Sequence, residues 1–173
     1  DSEWGTDIYS LSNFNVTCFY EDNANHLWIG SSTSPLNIYD KETKIFYRYH
    51  ELKDIYTICD AGNNKLWMGT SSNGVFIYDL NKNTLYHILN NPDNQKSLSD
   101  NSINYIFKDH SENLWIATNK GVSRYNDEKD RFLRFRHEAG NPNSISENNI
   151  TALIEDHENN IWIGTLRNGL NKY

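Results

Sequence analysis

Short apolar runs alternate with clusters of polar, turn-forming residues along the whole chain, and the alternation itself repeats. The strings Leu27-Trp28-Ile29-Gly30-Ser31, Leu66-Trp67-Met68-Gly69-Thr70, Leu114-Trp115-Ile116-Ala117-Thr118 and Ile161-Trp162-Ile163-Gly164-Thr165 place a tryptophan at steps of 39, 48 and 47 residues. Twelve residues before each tryptophan stand Val16, Ile55, Ile103 and Ile150; nine before stand Phe19, Ile58, Ile106 and Leu153; eight before stand Tyr20, Cys59, Phe107 and Ile154. Apolar residues on both parities of so short a run predict a strand buried on both faces. A polar turn follows (22–26, 61–65, 109–113, 156–160), and the tryptophan string reads as the second strand. Gly74, Gly121 and Gly169 mark the next turn, and a third strand ends in Tyr39, Tyr78, Tyr125 or Tyr173. Asp40, Asp79 or Asn126 then opens a turn into a fourth strand at 45–49, 85–88 or 132–135.

Four short antiparallel strands per unit, without a helical period, are the content of one β-propeller blade. Units of this length cannot bury their apolar faces alone and must stack. The expected fold is therefore all-β: a partial propeller over residues 1–173, with repeats at about 13–51, 52–100, 101–147 and 148–173. The fourth repeat stops after its third strand at Tyr173. The stretch 1–6, with Trp4, is available to supply the missing outer strand, within the chain or to a neighbour. Propellers have roughly four to eight blades, so this array is expected to be part of a longer ring, or to be completed by association through its terminal blades.

Composition narrows the functional classes. A formal charge of −7 argues against nucleic acid, because phosphate binding needs a basic face. No run of about 18 apolar residues is present to span a membrane. The 26 asparagines sit mostly between apolar runs and fit many tight turns, while 23 aromatic residues argue against disorder. Two cysteines, Cys18 and Cys59, do not form a disulfide scaffold. Their positions, ten and eight residues before the repeat tryptophan, put both on the same-named face of their own strands, so two small buried thiols are expected.

The links into the inner strands recur as well: Ser10-Leu11-Ser12-Asn13-Phe14-Asn15-Val16, Ser97-Leu98-Ser99-Asp100-Asn101-Ser102-Ile103 and Ser144-Ile145-Ser146-Glu147-Asn148-Asn149-Ile150. The latter two follow Asn91-Pro92 and Asn141-Pro142, whereas the link into the second repeat lacks the element. Together with the Asp-initiated turn, Leu-Trp-Ile-Gly-Thr, Gly-Leu/Val and Tyr-Asp, this pattern resembles the two-component regulator propeller repeat. It departs at Ser34-Pro35-Leu36 in the first repeat, Ala61 in the second, and Glu112 and Ala117 in the third. The resemblance implies a seven-bladed propeller in the extracytoplasmic sensing region of a bacterial hybrid histidine kinase, on the periplasmic or extracellular side. It also implies detection of glycan-derived oligosaccharides and a signal passed to a kinase that this chain does not contain.

The residues themselves offer little catalysis. Trp28, Trp67, Trp115 and Trp162 could stack on sugars, but a ring at identical mid-strand register fits packing between blades better. Asp22, Asp109 and Asp156 open polar turns, yet the alternating oxygen ligands and terminal glutamate of a calcium loop are missing, so they read as turn caps. His26, His50, His87, His110, His137 and His157 lack zinc-ligand spacing, and His110 and His157 are expected in solvent. Asn15 and Asn149 begin formal glycosylation sequons that follow from repeat register. No nucleophile elbow, phosphate loop or kinase motif is present; no cofactor or metal is expected, and the chain reads as a non-enzyme. The turns and links at one end of the blades expose Asn73, Asn101, Lys120, Asn148 and Arg167, whose donors suit hydroxyls, carboxylates or sulfates. Two readings compete with sensing: an interaction scaffold, and a propeller lyase or hydrolase.

Overall fold

A computed structural model describes residues 4–6, 11, 15–126 and 131–173. Sixteen strands and no helix are found among them. The first sheet runs in the order β1 (Trp4–Thr6), β5 (Phe46–Lys53), β4 (Pro35–Asp40), β3 (His26–Ser31), β2 (Val16–Glu21). The second is β6 (Ile55–Asp60), β7 (Lys65–Thr70), β8 (Val75–Asp79), β9 (Thr84–Ile88). The third is β10 (Ile103–Lys108), β11 (Leu114–Thr118), β12 (Gly121–Asn126), β13 (Arg131–Phe135), and the fourth β14 (Ile150–Glu155), β15 (Ile161–Thr165), β16 (Leu170–Lys172). These are four antiparallel meanders, each with the tryptophan string as its second repeat strand, the last one strand short. The chain divides into two compact units, residues 1–58 and 59–173.

Two expectations need correction. The N-terminal stretch does not complete the fourth repeat: β1 pairs antiparallel with β5, Trp4 opposite Tyr49 and Thr6 opposite Tyr47, adding a fifth strand to the first sheet. An outer strand offers a row of unpaired N–H and C=O groups, and the segment preceding the same sheet reaches it first. The Ser10-Leu11-Ser12 link lies outside the described residues except for Leu11.

The inner strands are not buried on both faces throughout, and repeat register explains why. In the second unit, Ile103 and Ile106 of β10 pack with Trp67, Val75 and Ile77 of the preceding repeat, with Leu98, Leu114, Ile116 and Phe132 completing that core. Ile150 and Leu153 of β14 pack likewise with Trp115, Ala117 and Val122. The positions twelve and nine before the tryptophan thus look to the preceding repeat. The position eight before looks forward: Cys59 packs on the first of these cores and Phe107 on the second. Phe19, in the backward-looking position of the first repeat, is therefore 73% exposed, and Ile154, in the forward-looking position of the fourth, is 64% exposed.

A bulge recurs at one register position, between Val16 and Cys18, Ile103 and Tyr105, and Ile150 and Ala152. It frees the bulged side chain to reach the next inner strand. Thr17 Oγ1 donates to the carbonyl of Ile55, and Asn104 Nδ2 donates to that of Ile150 at 2.7 Å. The turn glycines are required sterically. Gly74 and Gly121 have φ of 67° and 117°, and a Cβ on either would collide with the carbonyl of Ile88 or Phe135.

Candidate functional site

The polar turn before each tryptophan strand is built around one carboxylate. Asp22 accepts the main-chain N–H groups of Ala24 and His26 at 2.9 and 3.0 Å, and the indole N–H of Trp28 at 2.8 Å. Asp109 accepts from Asn113 N at 2.8 Å, from its side-chain amide, and from the Trp115 indole at 2.7 Å. Asp156 repeats this with Asn160 N at 2.9 Å and the Trp162 indole at 2.7 Å. Burial pushes the carboxyls of Asp22 and Asp109 up, but the indole and amide donors outweigh it and leave both below the ordinary range. Donation from Asn160 and Trp162 depresses Asp156. These aspartates are occupied by their own turns and tryptophans. Among the described residues no group of histidine, cysteine and carboxylate side chains is arranged to hold a metal ion.

The histidines also have local roles. His26 Nδ1 lies 3.1 Å from Asp22, His87 stacks on Phe76, and His137 Nδ1 lies 2.9 Å from the Ile145 carbonyl. His110 is exposed, as expected, and Glu155 accepts its main-chain N–H at 2.8 Å and meets its ring nitrogen. Cys18 and Cys59 are free, partly buried thiols, and burial raises both to about 11.

The five proposed ligand contacts differ in availability. Asn101 and Asn148 are framework residues with identical roles. Their carbonyls accept from Gly74 N at 2.8 Å and Gly121 N at 2.7 Å, while their side-chain oxygens accept from Asn90 N at 2.6 Å and His137 N at 2.7 Å. Asn73, Lys120 and Arg167 are exposed, with turns closed by main-chain bonds. Asn73 N donates to Thr70 Oγ1 and Lys120 N to Thr118 Oγ1. The cations are shadowed by acids at matching repeat positions: Lys120 Nζ lies 3.6 Å from Asp100, and Glu147 accepts the main-chain N–H of Arg167 at 2.7 Å.

A second polar surface was not foreseen. A groove of about 500 Å³ beside β13 is lined by Lys96, Arg131, Arg134, Arg136 and Glu138 together with apolar side chains. Arg134 is a clasp rather than a free cation: its guanidinium donates to the carbonyls of Asn94, Ser97 and Leu98, holding down the Asn-Pro link. Arg136 bonds the Ser99 carbonyl at 2.8 Å, and Arg131 Nε is buried without a partner among the described residues. The alternation of Arg131, Leu133 and Phe135 with Phe132, Arg134 and Arg136 carried no readable signal, because charged residues on an outer strand are ordinary.

No helix among the described residues is long and apolar enough to cross a membrane. No curated protein sequence matches the chain. The two-component regulator propeller model matches residues 9–33, 97–120 and 144–167. The second repeat, which lacks both the Ser-Leu-Ser link and the turn aspartate, is the one left unmatched. The chain is similar to the extracellular domain assigned to a hybrid two-component system of B. thetaiotaomicron, with 22% identity and a TM-score of 0.60 over 94% of this chain and 27% of that one. It is similar to another extracellular domain from B. thetaiotaomicron, assigned to a one-component system, with 24% identity and a TM-score of 0.56 over 98% of this chain and 29% of that one. PorZ, a surface component of the type-IX secretion system of Porphyromonas gingivalis, matches at 15% identity and a TM-score of 0.66 over 94% of this chain and 26% of its own. The chain thus spans less than a third of each of these proteins, and the shared property is the fold. The two-component regulator propeller repeat thus accounts for three of the four repeats of this chain, all of them folded as antiparallel meanders.

Proposed function

We propose that residues 1–173 form part of an extracytoplasmic ligand-sensing propeller of a hybrid two-component regulator, on the periplasmic or extracellular side of a bacterial inner membrane. In this reading the propeller detects glycan-derived oligosaccharides and relays the signal to a kinase carried elsewhere. The observation that carries the proposal is the family pattern in three repeats; the likeness to extracellular domains of Bacteroides regulators is consistent with it. Fold alone would not suffice, since PorZ has the same architecture in a secretion system. The ligand contacts proposed are the exposed side chains of Asn73, Lys120 and Arg167, set by the framework of Asn101 and Asn148. The chain itself acts without catalysis or cofactor.

Calorimetry of the chain with a panel of neutral and anionic oligosaccharides tests this. Binding lost in Lys120→Ala and Arg167→Ala supports the loop-tip site. Binding lost in Lys96→Ala instead moves it to the groove beside β13. No binding to any glycan, or turnover of one, defeats the sensing reading.

A second reading, docking of another protein or a further blade, is favoured by the exposed apolar side chains of Phe19 on β2 and of Ile154, Leu166, Leu170 and Tyr173 in the fourth repeat.

A further inference from the structure

Ala61 stands where three of the four repeats have the turn aspartate, and its environment shows what the missing carboxylate did. In the other repeats that side chain accepts an indole N–H and at least one main-chain N–H. In the second repeat the turn takes another shape. Gly62, Asn63 and Asn64 have φ of 81°, 52° and 56°, and Lys65 N donates to the Gly62 carbonyl at 3.0 Å. The other three turns have one left-handed residue each: Asn25, Glu112 and Asn159. Two central residues at positive φ make a primed turn, and Asp60 Oδ1 accepts the Gly62 main-chain N–H at 2.7 Å, so the turn closes without a carboxylate at position 61.

The carboxylate's place is left as a cavity. A space of about 190 Å³ is lined by Ala61, Gly62, Lys65, Trp67, Leu114 and Tyr125, among others, all within the second unit. Trp67 is 3% exposed, packed on Tyr125 and Phe132. Its indole N–H has no acceptor among the described residues. The ring is buried but its nitrogen is not enclosed, so the N–H is open to the cavity that the ring lines and is available to a group bound there. The charges at the cavity favour an anion: Lys65 lines it without an ion pair among the described residues, while the one acid lining it, Glu112, is held by Lys108 Nζ at 2.7 Å.

We propose that this cavity is a binding site for a small carboxylate, which takes the place of the absent aspartate side chain. The carboxylate accepts the Trp67 indole N–H as Asp22, Asp109 and Asp156 accept theirs, and Lys65 balances its charge. The site distinguishes the degenerate second repeat from its neighbours and is independent of the sensing reading, since it requires neither an oligosaccharide nor a kinase.

Titration of the whole chain, followed by the indole N–H resonances in two-dimensional ¹⁵N NMR, tests it. Trp67 is assigned from Trp67→Phe. With sodium acetate and with sodium glucuronate the Trp67 resonance should move along a saturable curve while those of Trp28, Trp115 and Trp162 stay in place. Glucose and sodium chloride at matched concentrations should leave it unmoved. Movement with acetate but not glucuronate restricts the site to free small acids, and movement with both admits sugar acids. In Ala61→Asp the resonance should shift to the range of the other three and lose its response. Should that variant fail to fold, Lys65→Gln should weaken acetate binding several-fold with the fold intact. The proposal is overturned if Trp67 ignores carboxylates, if chloride moves it equally, or if a folded Ala61→Asp still responds. Failure here leaves the glycan calorimetry untouched, and failure of the calorimetry leaves this site standing.

Discussion

Asp109 shows how one side chain can fix both a turn and a core tryptophan. Its two oxygens accept the Asn113 main-chain and side-chain N–H groups and the Trp115 indole, and the residue is buried. Asp109→Ala leaves the Trp115 indole without an acceptor, and we expect a loss of about 2 kcal/mol, measurable as a lower urea midpoint followed by tryptophan fluorescence. The depressed carboxyl pKa values of Asp22, Asp109 and Asp156 set the sign of a pH effect. A carboxylate with a folded pKa below its unfolded value contributes stability that is complete above about pH 4 and is lost as pH falls through the folded values. Thermal melts should therefore be level near neutrality and fall steadily below pH 4, less steeply in Asp109→Ala; a melting temperature flat to pH 3 would contradict the pairing. The sequence showed these aspartates as turn residues. It did not show their bond to the indole six residues on, which exists only once the hairpin folds back.

Among the elements, the pairing of the inner and tryptophan strands carries the most specific constraint. A Cβ on Gly30 would sit 2.5 Å from Cys18 Sγ and 2.8 Å from the Ile55 carbonyl. At Gly164 the nearest neighbour would be the Ala152 Cβ at an ordinary 3.4 Å, and the third repeat already has Ala117 at this position. Gly30→Ala should thus cost about 1–3 kcal/mol through overpacking, whereas Gly164→Ala should change the unfolding midpoint little. Equal effects in paired denaturation curves would show that the crowding at Gly30 is relieved by small shifts. The inner strands also carry partly buried thiols, raised to about 11 by burial. Cys18 and Cys59 should accordingly react slowly with a thiol reagent at pH 8 in the folded chain and rapidly after denaturation. Strand identity was legible from the apolar periods, because every repeat restated it. The bulge and the reach of Thr17 and Asn104 into the next inner strand were not, since one residue of register shift leaves no mark in composition.

For the whole molecule, the first and last repeats carry apolar side chains whose counterparts inside the array are covered. Phe19 corresponds to Ile106 and Leu153, which are buried, and Ile154 corresponds to Phe107, which packs under the following repeat. Exposed positions of this kind favour association. Light scattering should find the chain concentration-dependent in size, and Phe19→Lys with Ile154→Lys should return it to a monomer. A wild-type monomer at all concentrations would mean that the terminal sheets are content in water.

The repeat, its four-strand content and its likeness to the two-component regulator propeller pattern follow from the sequence by itself, because four aligned copies average out local exceptions and leave the apolar periods standing. What the tertiary structure decided is where each repeated residue ends up. Asn101 and Asn148 look like free loop amides in the sequence, yet their side-chain oxygens accept the main-chain N–H groups of Asn90 and His137, eleven residues earlier. Trp4 precedes the array but pairs its strand with β5. Ala61 reads as a lost turn cap, and only folding turns that loss into a cavity beside an indole without an acceptor. The reason is common to all three: alternation of apolar and polar positions encodes which face a residue takes, while partners are set by distances between segments remote in the chain, which no local pattern records.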